Sequence, residues 1–203
     1  IKMLISRICF FLMILCLSSM ANAHQSARGK VVAFAGPYIY QTETNIDLND
    51  ANSPILGGFA MLTEGGVDKN GGVELALIYL HKMYLRRSED QVVAEKIKRM
   101  QINVGYRHWF TPRLSIGLSY YSSYAMGDPA IIHSDFSGSP IYTTAHKVAE
   151  TGFDLSIQAE VYTQPEYTIV ADVRYSYSLS ARSGEEANTK GIIIGYKKSI
   201  DAN

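Results

Sequence analysis

Apolar and polar residues alternate with a period of 2 through most of this chain, in about eight runs separated by loop-forming residues. Alternate side chains of a strand point to opposite faces, whereas a helix groups its apolar residues at three- and four-residue spacing. Over 114–121 one face reads Leu114, Ile116, Leu118, Tyr120 and the other Ser115, Gly117, Ser119, Tyr121. Beyond Gly152, Phe153, Leu155, Ile157, Ala159 and Val161 alternate with Asp154, Ser156, Gln158 and Glu160. Tyr167, Ile169, Ala171, Val173, Tyr175 and Tyr177 lie opposite Asp172, Arg174, Ser176 and Ser178, and Met100, Ile102, Val104, Tyr106 opposite Arg99, Gln101, Asn103, Arg107. Each run is about 9–11 residues, the length a tilted strand needs to cross hydrocarbon.

The remaining strands are less regular. The runs 31–40 and 55–64 are apolar on both faces, with Gly36, Gly57 and Gly58 relieving crowding. In 73–84, Val73, Leu75, Leu77 and Tyr79 face away from Glu74, Ala76, Ile78, Leu80 and Lys82, and 191–198 closes the set. Loop lengths alternate as outer-membrane barrels require, with short periplasmic turns and longer outer loops. The predicted turns fall near 65–71, 110–113 and 163–166, and the predicted outer loops near 41–54, 86–95, 125–150 and 180–190.

The first residues read as an export signal. Lys2 and Arg7 form a positive region, 8–17 is an apolar run, and Ala21-Asn22-Ala23 is a small-x-small cleavage site. The apolar run is about ten residues, half of what a membrane helix needs. Cleavage after Ala23 would expose His24 and leave 24–203 as one barrel domain. A lipidation signal is not indicated, because Met13-Ile14-Leu15 precedes Cys16 where a small residue is required. Both cysteines, Cys9 and Cys16, lie in the signal, which excludes disulfides and thiolate chemistry from the rest. Without Lys2 and Arg7, 17 basic residues face 19 acidic ones, and no basic stripe suits nucleic acid. No later segment is apolar enough for a membrane helix, so a spanning chain must form a closed barrel.

Many of the 14 tyrosines stand near strand ends: Tyr38, Tyr40, Tyr84, Tyr106, Tyr120, Tyr124, Tyr162, Tyr167, Tyr177 and Tyr196. Trp109 and Phe110 mark another end. These rings are expected to form the aromatic girdles of a membrane barrel. The stretch 104–120, VGYRHWFTPRLSIGLSY, resembles the strand–turn–strand core of small eight-stranded outer-membrane proteins. The chain is similar by pattern to the superfamily that includes OmpA-like, OmpX-like and Ail-like proteins. The resemblance implies an all-β, eight-stranded antiparallel up-and-down transmembrane β-barrel in the outer membrane of a Gram-negative bacterium. Such barrels end on an aromatic residue, whereas this chain ends Ile200-Asp201-Ala202-Asn203; either Tyr196 takes that role or the last strand is assembled differently.

An eight-stranded barrel has an interior only wide enough for side chains. The polar faces carry Glu74, Asp154, Glu160 and Asp172 with Lys82, Arg99, Arg107 and Arg174. Charges in so narrow a space must pair, since an isolated buried charge costs several kcal/mol, roughly. The expected result is a salt-bridged plug; the rival is an ion or proton path. If the faces were inverted, the chain would be a soluble periplasmic barrel holding a small apolar ligand, as lipocalins do.

A lipid A-modifying enzyme is the third reading. Its candidates are His133, Ser134, Asp135 and His146 on the third outer loop. Residues adjacent in sequence seldom form a triad, and a loop positions groups poorly. The five histidines lack metal-ligand spacing; His81 and His108 fall on lipid-side positions, and no cofactor is implied. The third loop also offers Ile131, Ile132, Phe136, Ile141 and Tyr142 as a contact surface. The second loop, with Arg86, Arg87, Glu89, Asp90, Glu95 and Lys96, is expected to be solvated. The sequence therefore predicts a monomeric barrel without catalysis, in contact with outer-membrane lipid. Its structural or surface-binding role would lie in the outer loops, where a host or surface ligand could bind.

Overall fold

A computed structural model describes residues 30–44, 51–88, 91–136, 149–164, 166–180 and 187–200. The strands are β1 (Val31–Thr44), β2 (Ala51–Asn52), β3 (Leu56–Gly66), β4 (Gly71–Ser88), β5 (Gln91–Thr111), β6 (Leu114–Ala125), β7 (Ala130–Ser134), β8 (Glu150–Thr163), β9 (Thr168–Ser178) and β10 (Ala187–Ile200). Apart from the short β2 and β7, each strand pairs antiparallel with its neighbours along the chain, and β1 pairs with β10 from Val31↔Ile200 to Thr44↔Ala187. Eight strands therefore close into an up-and-down barrel. Closure matters because a strand edge left open in hydrocarbon would carry unsatisfied N–H and C=O groups.

The alternation read from the sequence becomes an inside and an outside. On β6, Ser115, Ser119, Tyr121 and Ser123 are buried while Leu114, Leu118, Tyr120 and Tyr124 are exposed. On β8, Asp154, Ser156, Gln158 and Glu160 point inward and Phe153, Leu155 and Ile157 outward. The inverted-face alternative is not what the strands adopt. Between Phe110 and Met100 on β5, and at the positions paired with them on β4 and β6, the outward residues include no Asp, Glu, Lys or Arg. A charge at the middle of such a face would cost about 2–4 kcal/mol for Lys or Arg.

The early strands, apolar on both faces, resolve in the same way. Phe34, Tyr38, Tyr40, Ala60, Leu62, Ala76, Ile78, Leu80, Val170 and Ile193 form a buried apolar cluster inside the barrel. The interior thus holds an apolar cluster built mainly on β1, β3 and β4 beside its charged groups.

The girdle expectation needs correction at four residues. Tyr38, Tyr40, Tyr84 and Trp109 lie inside the barrel, none more than 5% exposed. Inward and outward positions differ by a single residue at the same height, so proximity to a strand end does not decide the face. Tyr40 shows what the interior offers a polar ring. The β3–β4 ladder ends at Phe59↔Tyr79, and the Tyr40 hydroxyl donates to the His81 carbonyl (3.0 Å) and accepts from the His81 N–H (2.5 Å). The outward rings do gather at the two ends. Tyr106 stacks on His108, which meets Phe110 edge-on, at one end, where Tyr167 stacks on Tyr196 and lies tilted to Tyr162. Tyr120 meets Phe153 edge-on toward the other.

The short connections 67–70 and 112–113 share one end of the barrel with Thr163 and Thr168, where β8 ends and β9 begins. In the first, Asp68 accepts from the Asn70 N–H (2.7 Å) and the Tyr106 hydroxyl (2.8 Å). These bonds, the backbone one first, hold its carboxyl below the ordinary carboxylate range. At the opposite end the expected loop 86–95 is largely strand. Arg86 and Arg87 pair with Val93 and Val92 as the β4–β5 ladder runs out to Ser88↔Gln91. Charge does not stop a strand here: Arg87 is exposed and Glu95, expected in water, is buried, and the ladder runs past both. The loop after β6 also contains strand. Gly127, at φ 100°, turns the chain so that β7 resumes pairing along β5, at Lys96↔Ala130 and Val93↔Ser134. That conformation strains any residue with a Cβ.

Candidate functional site: the charged interior and the outer hairpin

The interior charges form three layers, each built from distant parts of the chain. In the middle layer β4 supplies Glu74, β5 Arg107, β8 Asp154, and β9 Asp172 and Arg174. Arg174 donates to Asp172 (Nε, 2.7 Å), Asp154 (Nη1, 3.1 Å) and Glu74 (Nη2, 2.7 Å). Arg107 donates to Glu74 (2.6 Å) and Asp172 (3.0 Å), and to the hydroxyls of Ser115 and Ser156. Glu74 and Asp172 therefore each bridge both guanidinium groups, and all five side chains are at most 5% exposed. Ser176 (2.6 Å) completes Asp154, and Gln158 (3.3 Å) adds to Asp172. Planar, forked arginines suit this geometry because several carboxylates can be met at fixed angles.

The layer at the long-hairpin end is built on Glu150. Its carboxylate accepts from Lys82, from the Tyr84 hydroxyl (2.5 Å) and from the Tyr121 hydroxyl (2.7 Å). Lys82 also donates to the Ala187 carbonyl (3.0 Å). Arg99 lies over the Tyr84 ring and donates to the Ser123 hydroxyl and carbonyl. At the short-turn end Lys197 pairs with Glu160 (2.8 Å) and sits 4.2 Å from the centre of the Trp109 ring, whose N–H donates to Glu64 (2.9 Å). Between this layer and the middle one, a void lined by Phe34, Glu64, Glu74, Arg107 and Lys197 has room for about one water.

All eight charges singled out from the sequence lie inside the barrel. Glu74, Arg107, Asp154, Asp172 and Arg174 meet in one cluster, whereas Lys82 and Arg99 belong to the outer layer and Glu160 to the inner one. Sequence reasoning missed Glu64, Glu95, Glu150 and Lys197 as buried residues; it set Tyr84 in the girdle, and Tyr121 on the polar face without a partner. Glu64 stands next to a predicted turn and Glu150 within the predicted outer loop 125–150, and Lys197 follows Ile192-Ile193-Ile194, where the alternation has no readable phase.

Trp109 is the one tryptophan of the chain, which makes its placement measurable. Its emission in the folded protein should resist both acrylamide in water and brominated acyl chains in the bilayer. Strong quenching by brominated lipid would return the ring to the girdle.

On the outer hairpin, Ile131 and Ile132 are about half exposed and Phe136 partly so. His133 pairs with Asp135 (2.9 Å), which also accepts from the Val92 N–H (3.1 Å). The Ser134 hydroxyl instead accepts from the Phe136 N–H (3.3 Å), and no bond joins it to His133. The pair is an exposed clasp between β7 and the end of β5. Ile141, Tyr142 and His146 lie outside the described residues, as do His24 and the export signal. Among the described residues no three His, Cys, Asp or Glu side chains converge as a metal site.

No family model matches the sequence, and no curated protein does. Solved structures do. OprG of Pseudomonas aeruginosa superposes with a TM-score of 0.55 at 12% identity, over 89% of this chain and 99% of that one. Ail of Yersinia pestis gives 0.48 at 13%, over 84% and 99%, and the outer membrane protein AlkL 0.42 at 11%, over 91% and 96%. Identity this low speaks to architecture alone, and the first of these carries that comparison. The chain has the fold of the small eight-stranded outer-membrane β-barrels.

Proposed function

We propose that this chain is a monomeric outer-membrane protein, exported by a signal in residues 1–23, that acts through its outward hairpins while its lumen stays closed. Its role is structural or surface-binding, in envelope integrity, adhesion or resistance, and it involves no catalysis. The observation that carries this reading is the interior: three layers of paired charges, backed by an apolar cluster, fill the space a solute would need. With the lumen occupied, the free surface is the three-stranded projection of β4, β5 and β7, carrying Ile131 and Ile132. Loops and extensions on a rigid scaffold commonly bear binding. Among the described residues the Ser134 hydroxyl accepts from the Phe136 N–H while His133 pairs with Asp135, so these three do not form a nucleophile–base pair.

Reconstitution into planar bilayers tests the closed lumen. The expected record has no stable single-channel steps at moderate voltage. Reproducible steps would move the function into the interior and overturn the reading.

A further inference from the structure

Where the apolar outer face ends, β4 and β5 present a patch of one charge sign. Going outward, the exterior positions of β5 read Met100, Lys98, Lys96, and those of β4 read Tyr79, His81, Met83. Lys98 is the direct cross-strand partner of His81, and Lys96 of Met83. Two lysines and a histidine thus share one outward spot, directly beyond the ring level of Tyr79 and Tyr124. Residues opposite one another in an antiparallel pair have Cβ atoms about 4.5–5.5 Å apart, and like charges there repel.

Elsewhere on the outer surface one such charge is paired within the chain. Lys190, outward on β10, pairs with Glu43 of β1. Lys96 and Lys98 have no carboxylate partner among the described residues. Two lysines so placed, with no carboxylate beside them, offer an anion from outside the chain a joint contact. Directly below the patch, Leu77, Tyr79, Met100 and Ile102 continue as an uncharged wall.

We propose that His81, Lys96 and Lys98 form a site for the phosphate groups of an outer-leaflet lipid, whose acyl chains lie along this wall. The inference rests on the barrel spanning the membrane. Lysine binds phosphate as a point charge, and the adjoining apolar surface is what a lipid offers contact to and a free phosphate does not.

The test presents the detergent-folded full chain with equal amounts of diphosphoryl lipid A and its dephosphorylated form, and counts bound lipids by native mass spectrometry. The wild type should retain the diphosphoryl form in preference by about tenfold. Lys96→Gln combined with Lys98→Gln should abolish the preference, while Lys198→Gln, outward at the opposite end, should keep it. Equal retention of the two lipids by the wild type overturns the site, as does full preference in the double variant. Displacement of bound lipid A by millimolar inorganic phosphate would make it a free-anion site and overturn the lipid assignment. A gel shift on boiling separates the two levels of failure. A wild type that lacks the shift overturns the barrel reading and this site with it; a wild type that shifts but shows no preference overturns the site alone. Should the double variant not fold, the wild-type comparison of the two lipids still decides.

Discussion

Arg174→Met should destabilise the folded barrel by about 3–5 kcal/mol, the cost of breaking a buried ion pair by removing one partner. Arg174 contacts three carboxylates, on Glu74, Asp154 and Asp172, and none of the four side chains is more than 5% exposed. Without it, Arg107 alone faces the three, and it bonds only Glu74 and Asp172. Urea unfolding in phospholipid vesicles, followed by gel mobility and Trp109 emission, measures the loss. Arg174→Lys should fall between, since it keeps the charge but loses the fork that reaches three carboxylates. Adding Asp172→Leu to Arg174→Met should recover part of the stability by removing a carboxylate that has lost its guanidinium. A loss below about 1 kcal/mol, the worth of an exposed pair, would mean the cluster is hydrated and the interior open.

Gly36→Val should prevent the barrel from closing. A Cβ built on Gly36 would lie 2.3 Å from the Ile194 carbonyl oxygen and 2.6 Å from the Gly195 Cα, both backbone atoms of β10. Gly195 meets the same limit from the other side, at 2.3 Å from the Ala35 carbonyl oxygen. This seam already has a gap. Its ladder passes from Ala35↔Tyr196 to Tyr38↔Ile193, and Pro37 between them has no N–H to donate. Pushing the strands apart there would expose further backbone groups to hydrocarbon, each costing several kcal/mol, roughly. The expected gel shows no heat-modifiable band for Gly36→Val. Gly57→Val is the control, because a Cβ at Gly57 meets nothing within 4 Å and the variant should fold as the wild type does. A normal shift for Gly36→Val would show that the seam can separate and still hold.

Legibility from sequence varied with the kind of information a residue carries. Strand positions such as Leu118 and Asp154 were readable because their neighbours alternate cleanly, and a period of 2 leaves only two possible faces. Tyr40 and Trp109 were misread because an amphipathic ring suits both a headgroup region and an interior with a waiting acceptor, and Tyr38 because it stacks on the Tyr40 ring. The His81 backbone and the Glu64 carboxylate are those acceptors, and they lie 41 and 45 residues away. The outer hairpin was misread as a solvated loop because charge density reports contact with water and says nothing about backbone pairing. Ala130–Ser134 was invisible as a strand, since all five side chains are exposed and its only structural signal is the ladder to β5.

What the chain determined alone was a set of two-faced strands and the length order of their connections. Both are local properties, written into side-chain alternation and turn residues within a few positions of one another. What only the tertiary structure decided was which charges meet. Glu74, Arg107, Asp154, Asp172 and Arg174 come from four strands, and ring closure in one register brings them to a single level. A slip of one residue in any of those ladders would turn a strand's charges to the lipid side, so the network exists by virtue of the register and of closure together.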